Sequence, residues 1–149
     1  MAIDQNAIYA DALAITGDTN SNNVIDHGAN TYHGIGPRPL FIPILVTEAF
    51  TDTGNNSTAL VVFQSSQYEA FNSSITNTVI AKIATNTATG LMAVPCMPPL
   101  GQDQRYSRLL FQIDSAAGNF STGKVTAWVT PDPDLVKNKA LGYTGPTTA

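Results

Sequence analysis

Charge is what this chain has least of. Asp, Glu, Lys and Arg make up 12% of its 149 residues, against roughly 25% in an average soluble domain. Seven residues are basic and the formal net charge is −4. The basic residues stand singly along the sequence, which excludes a nucleic-acid partner, because neutralising phosphates takes clustered Lys and Arg. A single cysteine, Cys96, excludes an internal disulfide framework and a multi-cysteine zinc site. Within VPCMPP it reads as a buried structural thiol. No run approaches the roughly 20 apolar residues of a membrane span. The first residues, MAIDQNAIYADALAIT, have neither the basic start nor the apolar centre of a signal peptide. The expectation is a soluble, non-secreted protein without membrane or nucleic-acid partners.

Reactive constellations are missing too. There is no G-x-S-x-G, no phosphate-binding glycine loop, no C-x-x-C and no pair of carboxylates in a shared apolar setting. Ser, His and Asp all occur, but no spacing connects a nucleophile to a base and an orienting acid. Asp18, Asn20 and Asn22 have the oxygen spacing that opens a calcium loop. The sixth and twelfth places, which need Gly and a bidentate Glu, hold Asn23 and Ala29 instead. A polar turn is the better reading. His27 and His33 lie in a Gly-rich loop with no ligand spacing, so they read as exposed or interface side chains. No enzyme, cofactor or metal is expected.

What the chain does have is short apolar runs separated by turn residues. Val24–Asp26, Leu40–Glu48, Ala59–Ser66, Thr78–Ala84 and Leu91–Val94 each read as a strand, divided by Gly, Asn, Pro and Thr clusters. Pro43 inside the second run points to an edge position or a bulge. The strongest stretch is Arg105–Asp132. Leu109, Phe111 and Ile113 alternate with Tyr106, Arg108, Leu110 and Gln112; Val125, Ala127 and Val129 then alternate with Thr126 and Trp128. Two such strands around a polar turn predict a hairpin with one buried row on each strand. With no helical periodicity between the runs, an all-β chain is expected. About eight strands suit an antiparallel β-sandwich of jelly-roll type.

At 149 residues the chain is one domain, long enough to bury about 70% of its unfolded surface. Residues 17–130 form its body. Residues 1–16 are a weakly patterned arm that fits a helical stripe or a short strand about Tyr9. Residues 131–149, with Leu135 in their one apolar group, are an extended tail. Arm and tail are expected to order on assembly. Outward Trp128 shares its face with Tyr106, Arg108 and Leu110 in the expected hairpin, and aromatic plus Arg side chains outside a core are the usual anchors of a protein interface. Tyr9 and Leu135 join them as expected contact residues.

Beyond these residue-level readings, the chain resembles the jelly-roll capsid cement (decoration) proteins of tailed bacteriophages. The resemblance runs through YADALAIT (Tyr9–Thr16), NVIDHGA (Asn23–Ala29), PLFIPILVTEAF (Pro39–Phe50), VVFQSS, RYSRLLFQI (Arg105–Ile113) and GKVTAWV (Gly123–Val129). It rests on their order and spacing together. The chain departs from the pattern at His27, where an apolar residue is commoner, and at Pro43. The resemblance implies a small β protein on the outer surface of a phage head. It would bridge major capsid protein subunits and assemble as a homodimer or homotrimer, with no catalytic residues. From the residues alone, a carbohydrate-binding β-sandwich, with Trp128 and Tyr106 as a stacking platform, is the competing expectation.

Overall fold

The computed structural model describes residues 7–27, 40–54, 56–100, 104–114 and 118–131. They build nine strands: β1 Ile8–Ala14, β2 Thr19–Asn20, β3 Ile25–Asp26, β4 Ile44–Thr51, β5 Thr58–Ser66, β6 Thr76–Ala84, β7 Gly90–Ala93, β8 Tyr106–Ile113 and β9 Thr122–Trp128. All pairings are antiparallel. One sheet has the order β1-β9-β4-β7, the other β2-β8-β5-β6, with β3 also on β8. The chain changes sheet at every connection except β2 to β3 and β5 to β6, so that β8 and β9 too lie in different sheets. This is a β-sandwich with jelly-roll connectivity.

The crossing from β8 to β9 corrects the expected hairpin. Alternation correctly separates the inward row Leu109, Phe111 and Ile113 from the outward row. The partner of β8, however, is β5, with Val61 opposite Phe111 and Gln64 opposite Arg108. The partners of β9 are β1 and β4. A buried row is satisfied equally well by its own sheet neighbour or by the facing sheet, so the pattern fixes the face and leaves the partner open.

The core lies between the sheets and is built from their inward rows. Ile44, Val46, Phe50, Val125 and Ala127 meet Val61, Phe63, Ile83, Leu109 and Phe111, all at most 2% exposed. The segment expected as an arm enters this core. Tyr9 is completely buried and meets the Phe63 ring edge-on, with centroids 6.4 Å apart, while Ile8–Ala14 pairs with β9. Two register shifts along that pairing break its alternation, which is why its sequence pattern is weak. Pro43 sits just before β4, where its missing N–H costs the ladder nothing. Cys96 is exposed rather than buried, because at this bend Met97 takes the inward place. Of the expected tail, residues 132–149 lie outside the described residues, and so does Leu135.

Strand β6 holds a second departure from simple alternation. Ala81 pairs with inward Val61, but Val79 pairs with Val62, leaving Ile80 as an extra residue. This one-residue bulge flips the register of faces. Val79, expected on one row with Ala81 and Ile83, points outward and is 56% exposed.

Gly123 carries a φ of 145° and lies flat against the Phe50 ring, inside the space a Cβ would need. Phe50 is itself pinned by Phe120, with ring centroids 4.8 Å apart. Gly123→Ala is therefore expected to lower stability by about 3 kcal/mol, combining backbone strain with overpacking. Urea unfolding followed by the fluorescence of the single tryptophan checks this; an unchanged midpoint would contradict the packing described.

Candidate protein interface

The outer face of the β2-β8-β5-β6 sheet is where three of the six expected contact residues meet. Tyr106, Arg108 and Leu110 project from it along β8, each partly exposed. The Arg108 Nε donates to Gln64 Oε1 on β5 at 2.7 Å, and Gln64 Nε2 donates to Asn77 Oδ1 on β6 at 2.8 Å. A polar relay thus ties three strands across the face. The guanidinium also stacks on the Phe71 ring, 4.2 Å from its centroid, a cation–π contact. Burial pushes the Arg108 pKa downward, and among the described residues no carboxylate pairs with it.

Phe71 comes from the loop joining β5 to β6, and sequence reasoning missed it. Two residues of this loop, Phe71 and Ser74, have positive φ, 51° and 55°. For non-glycine residues that conformation costs about 1–3 kcal/mol each and persists only where the surroundings enforce it. The turn is held by Ser66, whose Oγ donates to Ser73 O and accepts from Tyr68 N. The polar string QYEAFNSS reads as a crossing segment, and its lone Phe gives no periodicity to say that it folds back onto β8.

The exposed large apolar side chains of the described residues are Leu60, opposite Gln112 and away from this arginine, and Tyr68, Ile75 and Val79. All come from β5, β6 or the loop between them. Scattered singly such residues mean little, but carried by the same sheet and its β5–β6 loop as a partly exposed arginine and tyrosine they mark a candidate contact surface.

Two expected contact residues are elsewhere. Tyr9 is in the core, because β1 is a sheet strand and its register turns Tyr9 inward. Trp128 does project from an outer face, but that of the opposite sheet. It packs there with Ile8, its cross-strand partner, and with Leu45 and Leu91, and is only 4% exposed. Trp128 and Tyr106 are thus on opposite sides of the sandwich and form no common stacking platform.

The structure does bring one serine to a histidine. Ser107 Oγ lies 2.6 Å from the Tyr9 hydroxyl and 2.7 Å from His27 Nε2. Ser107 is completely buried, and both neighbours occupy its hydroxyl, so no substrate carbonyl can reach it. Burial pushes the Tyr9 phenol upward, opposed by its bond to Ser107, so it stays a neutral hydrogen-bonding group. The trio joins β1 and the end of β3 to β8. Next to it, Arg105 grips Asp26 through two hydrogen bonds of 2.7 and 2.8 Å. His27, expected as an exposed or interface side chain, is half-buried; His33 lies outside the described residues. Asp18, from the calcium-like string, instead accepts the Ile113 N–H at 2.8 Å. Among the described residues no group of three or more His, Cys, Asp or Glu is placed to hold a metal, and no helix is long and apolar enough to cross a membrane.

Ser107→Ala is expected to cost about 2 kcal/mol of stability, because it leaves the buried Tyr9 hydroxyl without its partner. Tyr9→Phe in the same background should recover much of that loss in urea unfolding. Additive losses from the two changes would contradict the shared bond.

No curated protein matches the chain. The model of the Bbp16 family matches residues 9–129, a span from β1 through β9 that takes in both sheets and the outer face around Arg108. The chain belongs to the Bbp16 family.

Proposed function

We propose that this protein is a capsid cement, or decoration, protein on the exterior of a tailed-phage head, where it bridges and stabilises major capsid protein subunits. The observation that carries this reading is the outer face of the β2-β8-β5-β6 sheet. The sheet and its β5–β6 loop carry exposed apolar side chains as well as the partly exposed Tyr106, Arg108 and Leu110, a composition suited to burial against protein. The jelly-roll connectivity agrees with the resemblance in YADALAIT, NVIDHGA and RYSRLLFQI. Among the described residues, the serine that meets a histidine, Ser107, is completely buried, which favours a structural role over catalysis. The partners are the major capsid protein and other copies of this chain, and the site of action is the virion surface. Cementing needs no chemistry: each copy adds modest buried area between neighbours, and the symmetry of the shell multiplies it.

The test is co-sedimentation of the purified protein with expanded heads and, separately, with free major capsid monomer. Saturable, stoichiometric binding to heads and none to the monomer is expected. Failure to associate with mature heads would sink the proposal. A reproducible glycan-array signal, weakened by Tyr106→Ala, would favour sugar binding instead.

A further inference from the structure

The structure assigns His27 the neutral form with its ring proton on Nδ1, and makes the Tyr9–Ser107–His27 string an acid-sensitive clasp that holds β1 to β8. The inference does not depend on the capsid reading.

It follows from counting protons. Ser107 Oγ meets two groups, the Tyr9 hydroxyl at 2.6 Å and His27 Nε2 at 2.7 Å. Tyr9 and Ser107 are both completely buried, so neither can turn to water. Among the described residues the Tyr9 hydroxyl has no second hydrogen-bond partner. It keeps its own proton, since burial pushes the phenol upward. The two contacts therefore have two hydroxyl protons to take up. One arrangement does so: Tyr9 donates to Ser107, and Ser107 donates to the lone pair of Nε2. A third proton, on Nε2, has no place in the string. However the hydroxyls rotate, one buried O–H is then left without an acceptor, which costs more than the bond it replaces.

The surrounding charges do not reverse this. His27 is seated by its own main chain, its N–H donating to Arg105 O at 2.9 Å. Asp26 on β3 and Arg105 just before β8 grip each other through two hydrogen bonds, so their opposite charges offset. Glu69 of the β5–β6 loop acts on that same Arg105. The other titratable groups on these elements are Tyr106, cross-strand from Asp26, the exposed Asp11 on β1, and Arg108 on β8, engaged by Gln64. The folded chain thus favours neutral His27, whereas the unfolded chain protonates it at the ordinary histidine value of about 6.5. The stability this contributes is full above that value and is lost as pH falls below it. The place that loosens is Ser107, where Tyr9 of β1 and His27 at the end of β3 both meet β8.

Urea unfolding of the full chain at about pH 8 and about pH 5, either side of the histidine value, tests this. Between them the folding constant of the unaltered protein is expected to fall about tenfold more than that of His27→Gln. Tyr9→Phe alone should keep this acid response, because the Ser107 proton is still displaced. Tyr9→Phe with Ser107→Ala should abolish it, since no hydroxyl then remains to be stranded. Mere desolvation of a charged ring would leave the response of that double variant unchanged. Nitrogen NMR of the histidine rings at about pH 8, assigned through His27→Gln, should place the His27 proton on Nδ1; this reading is made on the unaltered protein and needs no variant of the clasp to fold. A proton on Nε2, equal acid responses in the unaltered protein and His27→Gln, loss of the response in Tyr9→Phe alone, or its persistence in the double variant would each overturn the inference.

Discussion

The passage of the chain from β8 to β9 is the constraint on which the sandwich depends. β8 is the inner strand that joins β2 and β3 to β5, and β9 is the inner strand that joins β1 to β4. This connection, like that from β4 to β5, therefore links an inner strand of one sheet to an inner strand of the other. The inward rows Leu109–Phe111–Ile113 and Val125–Ala127 contribute to one core from opposite sides. Burying that core is the main favourable term in folding; β1, β2, β3, β4 and β5 join these two strands directly, and β6 and β7 extend the sheets beyond β5 and β4.

From this follows the different character of the two outer faces. On the β9 side, Ile8, Trp128, Leu45 and Leu91 close into a small apolar cluster of their own. On the β8 side the covering is partial: one loop folds back so that Phe71 lies over Arg108, and the apolar side chains around them stay exposed. Both faces carry aromatic residues in the sequence, yet only one presents them. The difference lies in the strained backbone at Phe71 and Ser74 and in the bulge at Ile80, which together set the surface.

Much of this was legible in the residues, and the remainder was hidden for identifiable reasons. Alternation located β5, β8 and β9 nearly to the residue and separated Leu109 and Phe111 from Tyr106, Arg108 and Leu110, because side-chain direction in a strand is a local property. Strand partners are not local. A hairpin and a sheet-to-sheet crossing demand the same inward row, so Trp128 was expected beside Tyr106 and is found across the sandwich. Bulges are equally silent: Val79 reads as inward until one extra residue turns it out, and Tyr9 sits in a segment whose irregular pairing blurs its period. Phe71 and the Ser107–His27 contact depend on residues far apart in sequence, which no spacing rule links.

The pairing of β1 with β9 joins the two extremes of the described chain: the Thr126 hydroxyl accepts the Ala12 N–H across a separation of 114 residues. The Tyr9–Ser107 bond spans 98 residues. Contacts of that reach form late, since closing so long a loop loses entropy before any contact compensates for it. Until β1 docks, the core lacks Tyr9 and the Trp128 cluster lacks Ile8, so a nascent or truncated chain shows two apolar openings that the finished molecule conceals. Synthesis order sharpens the effect, because of the nine strands β1 is made before the others and its partner β9 after them. Long-range pairing of this kind slows folding by topology, and β1 waits longer for its partner than any other of the nine strands.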